Sequence, residues 1–288
     1  MWVMSIAHNP AFLFLGNNNH HSNDMGNIIR QHVLLAVMLF VQACCIMAQN
    51  ATEKVTFKTD SLSLIDKTGE YKIVADLPVN ANSILTKAIG EFIAEELGNG
   101  HPDNASTLYD MMRLSFDLNV KALHMEQQEI LGEDGDGPLF AWESRFNAVC
   151  VADNFVTYRH EGYIYTGGAH GLSSHTGMTF RKDDGRRIGW DLFRNTNAAG
   201  FQRLMKEGLK SYFNVDTDEE LNTCGLIDLT VVPLPACSPL FTEKGVLFIY
   251  QQYEIACYAA GAPEFVIPYE KLIPYLGITA KKLIGVVP

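Results

Sequence analysis

The sequence predicts an α+β fold, with mainly antiparallel sheets and packed helices arranged as two small modules after a signal peptide. Three observations carry this. Apolar residues at three- and four-residue spacing mark helices over 85–123 and 201–213, and runs of period two or of continuous apolar character form hairpin-like groups around them. The helices do not alternate one for one with the strands, as a parallel sheet would require. The composition is that of a globular chain, with 47% hydrophobic and 19% charged residues among 288, which excludes disordered, collagen-like and coiled-coil classes. Against 33 Asp and Glu stand 22 Lys and Arg, a net charge of −11 that repels a phosphate backbone and argues against nucleic acid as a partner.

The first 48 residues read as a non-structural N-terminus and a secretory signal. Residues 1–24 carry Asn17-Asn18-Asn19-His20-His21 without any periodic pattern, and Met25 reads as the true start. Arg30 then supplies a positive n-region, Val33 to Val41 an apolar h-region, and Ala48 a small residue before Gln49, so cleavage is expected between Ala48 and Gln49. The apolar run, interrupted by Gln42, is shorter than the roughly 20 residues that span a bilayer. Val41-Gln42-Ala43-Cys44 also approximates a lipoprotein signal, leaving a lipid anchor at Cys44 as the second route to the envelope. Membrane attachment is therefore expected only through the signal or that anchor. Cleavage removes 48 of 288 residues, one acid (Asp24) and one base (Arg30), so the net charge is unchanged.

In the mature chain, Ser61 to Ile65 and Tyr71 to Ala75 flank the turn Asp66-Lys67-Thr68-Gly69 and predict a hairpin. Leu85, Ile89, Phe92, Ile93 and Leu97 predict a helix capped by Asn82 or Ser83 and stopped by Gly98. A second helix is expected from near Asn104, with the stripe Leu108, Met111, Met112, Phe116, Val120 and Leu123 and an end at Gly132 and the loop Glu133 to Pro138. Strands follow near 139–152 and 154–166, and Asp183-Asp184-Gly185-Arg186 turns between Thr176 to Lys182 and Arg187 to Trp190. Asn195 to Asn197 is expected to cap a helix bearing Phe201, Leu204, Met205, Leu209, Tyr212 and Phe213. Val246 to Tyr250 reads as a central strand, Phe265 to Ile267 as the last strand and Tyr269 to Leu276 as a closing helix. The expected modules are 53–172 and 173–288.

Four cysteines remain after cleavage, and three connectivities are open to them. Cys150 and Cys257 lie in apolar runs, where a free thiol behaves as a small hydrophobe. Cys224 and Cys237 flank the segment Val232-Pro233-Leu234-Pro235 and are the expected pair.

The most unusual segment is Tyr163-Ile164-Tyr165-Thr166-Gly167-Gly168-Ala169-His170-Gly171. Its glycines permit positive φ and close approach of the backbone. It lacks the Lys-Ser/Thr of a phosphate loop and the spacing of a dinucleotide loop, so no cofactor is expected. A bulge at Gly167 and Gly168, with His170 hydrogen-bonded to the loop backbone, is the structural expectation. His160, Glu161, His170 and His175 are poor as a metal set because neighbours on a strand face opposite ways. Ser173 and Ser174 lack a nucleophile elbow, and the acid pairs Asp134/Asp136 and Asp183/Asp184 fall in turns.

Four motifs in order carry a resemblance: Tyr165-Thr166-Gly167-Gly168-Ala169-His170-Gly171; Met178-Thr179-Phe180 with Asp184-Gly185-Arg186 and Trp190-Asp191-Leu192-Phe193; Tyr253 to Gly261; and Ile267-Pro268-Tyr269. Over Val55 to Leu276 the chain resembles the paired bacterial envelope domains of unknown function, DUF4163 followed by DUF3298, of RsiV-type anti-sigma factors; the first module also stands beside the catalytic domain of PdaC-type deacetylases. Cys257 departs from the Pro of many relatives. The resemblance implies an external binding region without a sigma-binding or catalytic domain, with Tyr165, Gly167, Gly168, His170, Gly171, Tyr253 and Tyr258 as candidate loop or binding residues. It also implies lysozyme binding, as in the RsiV external region. The resulting expectation is an exported, non-enzymatic protein of the periplasm or cell envelope, binding a basic lysozyme-like protein or cell-wall material. The rival class is a wall glycan or peptide hydrolase using His170 as acid or base.

Overall fold

Six strands lie side by side in chain order in the larger sheet, and three more form a smaller one. The structure, a computed structural model, describes residues 54–98, 105–132, 137–226 and 231–287. The signal segment with Met25, Cys44, Ala48 and Gln49, the helix start near Asn104 and most of the Glu133 to Pro138 loop lie outside the described residues. No helix among the described residues is long and apolar enough to cross a membrane.

Strands β1 (Phe57–Ile65) and β2 (Gly69–Pro78) form the expected hairpin. Its turn closes because the Asp66 carboxylate accepts the Thr68 amide at 2.8 Å and the Gly69 amide at 3.3 Å. The chain then crosses through α1 (Ser83–Leu97) and α2 (Leu108–Leu131) to β3 (Phe140–Val151), which returns parallel to β2 from the register Gly69↔Phe140. All other strand pairs are antiparallel. Asn82 caps α1 by accepting the Leu85 amide at 2.8 Å, and Gly98 ends it at φ 76°. Thr107 caps α2, which begins at Leu108. Strands β4 (Phe155–Tyr165), β5 (Leu172–Arg181) and β6 (Arg187–Ile188) complete the sheet, and a register shift between Ala148 and Cys150 interrupts β3.

Tyr71, Ile73, Ala75 and Leu77 alternate along β2 and meet Leu85, Ile89, Phe92, Ile93, Met112 and Phe116 of the two helices in the first core. The second core lies against the other face of β4 and β5. There α3 (Ala199–Phe213) buries Phe201, Met205 and Leu209 on the small sheet of β7 (Leu240–Phe241), β8 (Gly245–Ile249) and β9 (Glu264–Pro268). Strand β8 is central, as its continuous apolar run predicts.

The boundary expected between 172 and 173 lies at the start of β5, within the large sheet, and β4 gives Phe155 to one core and Val156 and Tyr158 to the other. Three expectations need correction. No Asn side chain caps α3: its N-cap is Ala198, while Asn195 takes φ 54° and its carbonyl accepts the Ala198 amide at 2.9 Å in a preceding turn. The closing helix is split into α5 (Tyr269–Leu272) and a 3-10 turn at Pro274, and an additional helix, α6 (Ile278–Leu283), follows α4 (Asp218–Leu221) and α5 in the series. Cys224 and Cys237 are unbonded, because Cys237 is buried with Leu240 and Ile249 whereas Cys224 donates to the Glu220 carbonyl at 3.5 Å.

Helix α3 approaches β9 at Gly208, where any Cβ would overlap the buried ring of Phe265. Gly208→Val is expected to lower stability by roughly 1–3 kcal/mol through overpacking, read as a shift in the urea midpoint. An unchanged midpoint would show that the helix can lift away freely.

Candidate functional site

One face of β4 runs from the second core to the exposed tip of the β4–β5 hairpin. Its residues are Phe155, Thr157, Arg159, Glu161, Tyr163 and Tyr165, alternating with the buried first-core face. Beyond Tyr165 the chain turns through Gly167 at φ 102° and Gly168 at φ 97°, conformations open to glycine at low cost. The two glycines therefore form the hairpin connection and are not a bulge. Tyr165 Oη donates to the Gly168 carbonyl at 3.1 Å. His170 does bond the loop backbone, through Nδ1 and the Gly171 carbonyl at 3.0 Å. Gly171 is required for close approach, since a Cβ there would stand 2.5 Å from the Tyr163 ring.

A second arm, residues 250–261, comes from the smaller sheet. It is held along β5 by side chains that imitate a strand: Gln251 accepts the His175 amide at 2.8 Å and donates to the His175 carbonyl, and Gln252 accepts the Ser173 amide at 3.2 Å. Glu254 closes the turn by accepting the Gln251 amide at 2.7 Å and the Ala236 amide at 2.7 Å. Within this turn Tyr253 takes φ 67° and is 53% exposed. Left-handed backbone in a bulky residue costs of order 1–3 kcal/mol and concentrates at functional sites.

The two arms meet through Tyr258, whose ring stacks on His170 at 4.0 Å and 21° and whose hydroxyl donates to the Gly171 carbonyl at 3.2 Å. Tyr253 lies 5.6 Å from Tyr258. All seven candidate residues thus come together: Tyr165, Gly167, Gly168, His170 and Gly171 from one hairpin, Tyr253 and Tyr258 from the other arm. Tyr163, Ile164 and Leu172 add exposed apolar surface at this end. Sequence reasoning did not select Tyr163 as a site residue, although the alternation Tyr163-Ile164-Tyr165 places it on the same face as Tyr165.

Sequence reasoning also missed a polar cluster on the opposite face of β4. Ser144 Oγ lies 2.8 Å from His160 Nε2, and His160 Nδ1 lies 3.1 Å from Glu96 Oε2 and 3.2 Å from Thr176 Oγ1. Gly162 on the same strand leaves room for the Ser174 hydroxyl, which a Cβ there would overlap. The order Ser, His, Glu is that of a hydrolytic relay. Ser144 is only 2% exposed and His160 4%, however, and the groove between α3 and β9 and the pocket beside Tyr269 both lie elsewhere. A nucleophile needs room for its substrate, so the arrangement serves as a satisfied buried network. His160 pairs with Thr176 and Glu161 with His175 across β5, which sets His160 and Glu161 on opposite faces.

Burial alone would raise the Glu96 carboxyl, but hydrogen bonds from His160 and Thr176 and the charges of His160 and Arg187 outweigh it and hold the group below its ordinary value of 4.5. A depressed carboxylate stabilises the fold fully above the unfolded-state value and loses that stability as pH falls through the folded one. The melting temperature is therefore expected to fall below about pH 4.5, and Glu96→Gln is expected to flatten that acid limb in a pH series of thermal melts. An acid limb unchanged in the Gln variant would assign the loss to other carboxylates.

Residues 191–270 match DUF3298, described as a protein of unknown function, and the match falls within the expected C-terminal module. No curated protein matches the sequence. A solved structure of a DUF3298 family member from Bacteroides fragilis superposes with a TM-score of 0.61 at 20% identity, covering 81% of this chain and 98% of its own. A DUF3298 family protein from Pseudomonas aeruginosa gives 0.52 at 14% identity, covering 80% and 97%. At these identities the likeness is one of fold, and it extends across both cores. Residues 191–270 are accordingly a DUF3298 domain, of unknown function, in a chain that shares the fold of solved members of that family.

Proposed function

We propose that the chain is an exported, non-enzymatic binding protein of the cell envelope and that the aromatic hairpin tip is its binding surface. The observation that carries this reading is the exposed Tyr253 held at φ 67° beside the Tyr258–His170 stack. Strain in an exposed aromatic residue does nothing for a core, whereas rigid aromatic rings give large contact area at low entropic cost in an interface. Export rests on the Arg30, Val33 to Val41 and Ala48 arrangement.

The ligand class follows from the resemblance to DUF4163–DUF3298 pairs of the RsiV type: a basic lysozyme-like protein, or cell-wall material. The charge of −11 suits a cationic partner, since opposite fields raise association rates. The hydrolase reading draws little support from His170. Its ring is stacked on Tyr258 and its Nδ1 is engaged by the Gly171 carbonyl, without a carboxylate partner among its described contacts.

Cells producing the chain are expected to hold it in the envelope with Gln49 at its N-terminus. The purified protein is expected to bind lysozyme with an association rate that falls as salt rises past about 0.15 M, while dissociation changes less. Tyr253→Ala is expected to weaken binding at least about tenfold. Surface binding kinetics check both. Absence of binding at low salt by a folded chain would remove lysozyme, and unchanged affinity in the Tyr253 variant would move the site away from the tip.

A further inference from the structure

We propose that Cys224 and Cys257 form a disulfide that ties the segment after α4 to the arm carrying Tyr253 and Tyr258. The two chain segments already run side by side. Leu226 and Ala256 form an antiparallel bridge, and the Cys257 amide donates to the Gly225 carbonyl at 3.2 Å. This pairing sets Gly225 opposite Cys257, with Cα atoms about 4.5–5.5 Å apart. Cys224, one step of about 3.8 Å along the chain, lies on the diagonal at about 6 Å, inside the span of about 4.4–6.8 Å that a disulfide bridges once the Cys224 Sγ turns from the Glu220 carbonyl.

Gly225 makes the approach of the sulfurs feasible in two ways. It has no side chain, and the Cys257 Sγ stands only 3.1 Å from where its Cβ would be, directly over the residue next to Cys224. It also takes φ 77°, a turn that breaks the strand alternation that would otherwise send Cys224 to the far side. Accessibility selects the same pair. Cys257 is exposed and Cys224 half-buried, whereas Cys150 and Cys237 are buried. Burial, reinforced by the charges of Glu96 and Glu254, pushes the Cys237 thiol up to about 12, where the reactive thiolate is scarce.

The chemistry is ordinary exchange with a small disulfide such as oxidised glutathione. The thiolate of Cys257 attacks one sulfur of the oxidant, forming a mixed disulfide and releasing one glutathione thiolate. Cys224, losing its proton to solvent, then attacks the Cys257 sulfur and releases the second. The protein is oxidised by two electrons and one oxidant is reduced to two thiols. Because Cys257 immediately precedes Tyr258, closure would restrain the base of the arm that stacks on His170. Occurrence of the bond in the cell rests on the proposed export to an oxidising compartment. The pairing itself is a property of the folded chain and can be tested without it.

The full chain is incubated with oxidised glutathione, its remaining thiols are alkylated, and it is digested with chymotrypsin, which cuts after Leu226 and Leu229 and so separates Cys224 from Cys237. Mass spectrometry is expected to find the Cys224 and Cys257 peptides joined with loss of two hydrogens. The link should persist in Cys237→Ser and vanish in Cys257→Ser. A Cys224–Cys237 link in the wild-type chain, or stable glutathione adducts with no internal link while circular dichroism reports a folded protein, would overturn the proposal.

Discussion

Two buried threonine hydroxyls hold the smaller sheet against the larger one, and the candidate site depends on that attachment. Thr157 Oγ1 donates to the Phe241 carbonyl at 2.6 Å, the Phe241 amide donates to Thr179 Oγ1 at 3.0 Å, and the hydroxyls lie 2.9 Å apart. Strand β7 has only two residues, and this hydroxyl pair supplies both partners for the main chain of Phe241 where it meets the face of the large sheet. Leaving either group buried without a partner costs about 1–3 kcal/mol. Gly177, beside the threonines on β5, admits the Leu240 side chain to the same surface.

From this attachment the same face of β4 leads outward in steps. Arg159 forms a two-pronged pair with Glu264 of β9, at 2.7 and 3.3 Å, which aligns the small sheet along the large one. Gln251 and Gln252 then bind the β5 backbone, and Tyr258 settles on His170. The platform is therefore composite. It needs the hairpin of one sheet and an arm of the other, and neither presents the full set of rings alone.

Legibility in the sequence follows how local the determining contacts are. The β1–β2 hairpin, helix α1 with Asn82 and Gly98, and central β8 are written in short-range patterns and appear where they were expected. The hairpin residues Tyr165 to Gly171 were legible because three glycines around one histidine are locally unusual. Tyr253 and Tyr258 entered through motif resemblance; the contact of Tyr258 with His170 joins residues more than 80 positions apart, which no periodicity reports. The Ser144–His160–Glu96 network was invisible for the same reason, since α1, β3 and β4 each contribute one member. Helix α6 escaped because six residues with two buried side chains, Ala280 and Leu283, leave too short a stripe. The expected Cys224–Cys237 pair failed because sequence proximity says nothing about Cys237 turning inward.

If the hydroxyl pair makes the two sheets one cooperative structure, native-state hydrogen exchange should find the Phe241 amide as protected as those of Thr157 and Tyr158 in β4. All three amides are expected to open with the same free energy in the wild-type chain, and Thr179→Val is expected to expose Phe241 while β4 stays protected. Early exchange of Phe241 in the wild-type chain, with β4 still protected, would instead mark the small sheet as an independent unit.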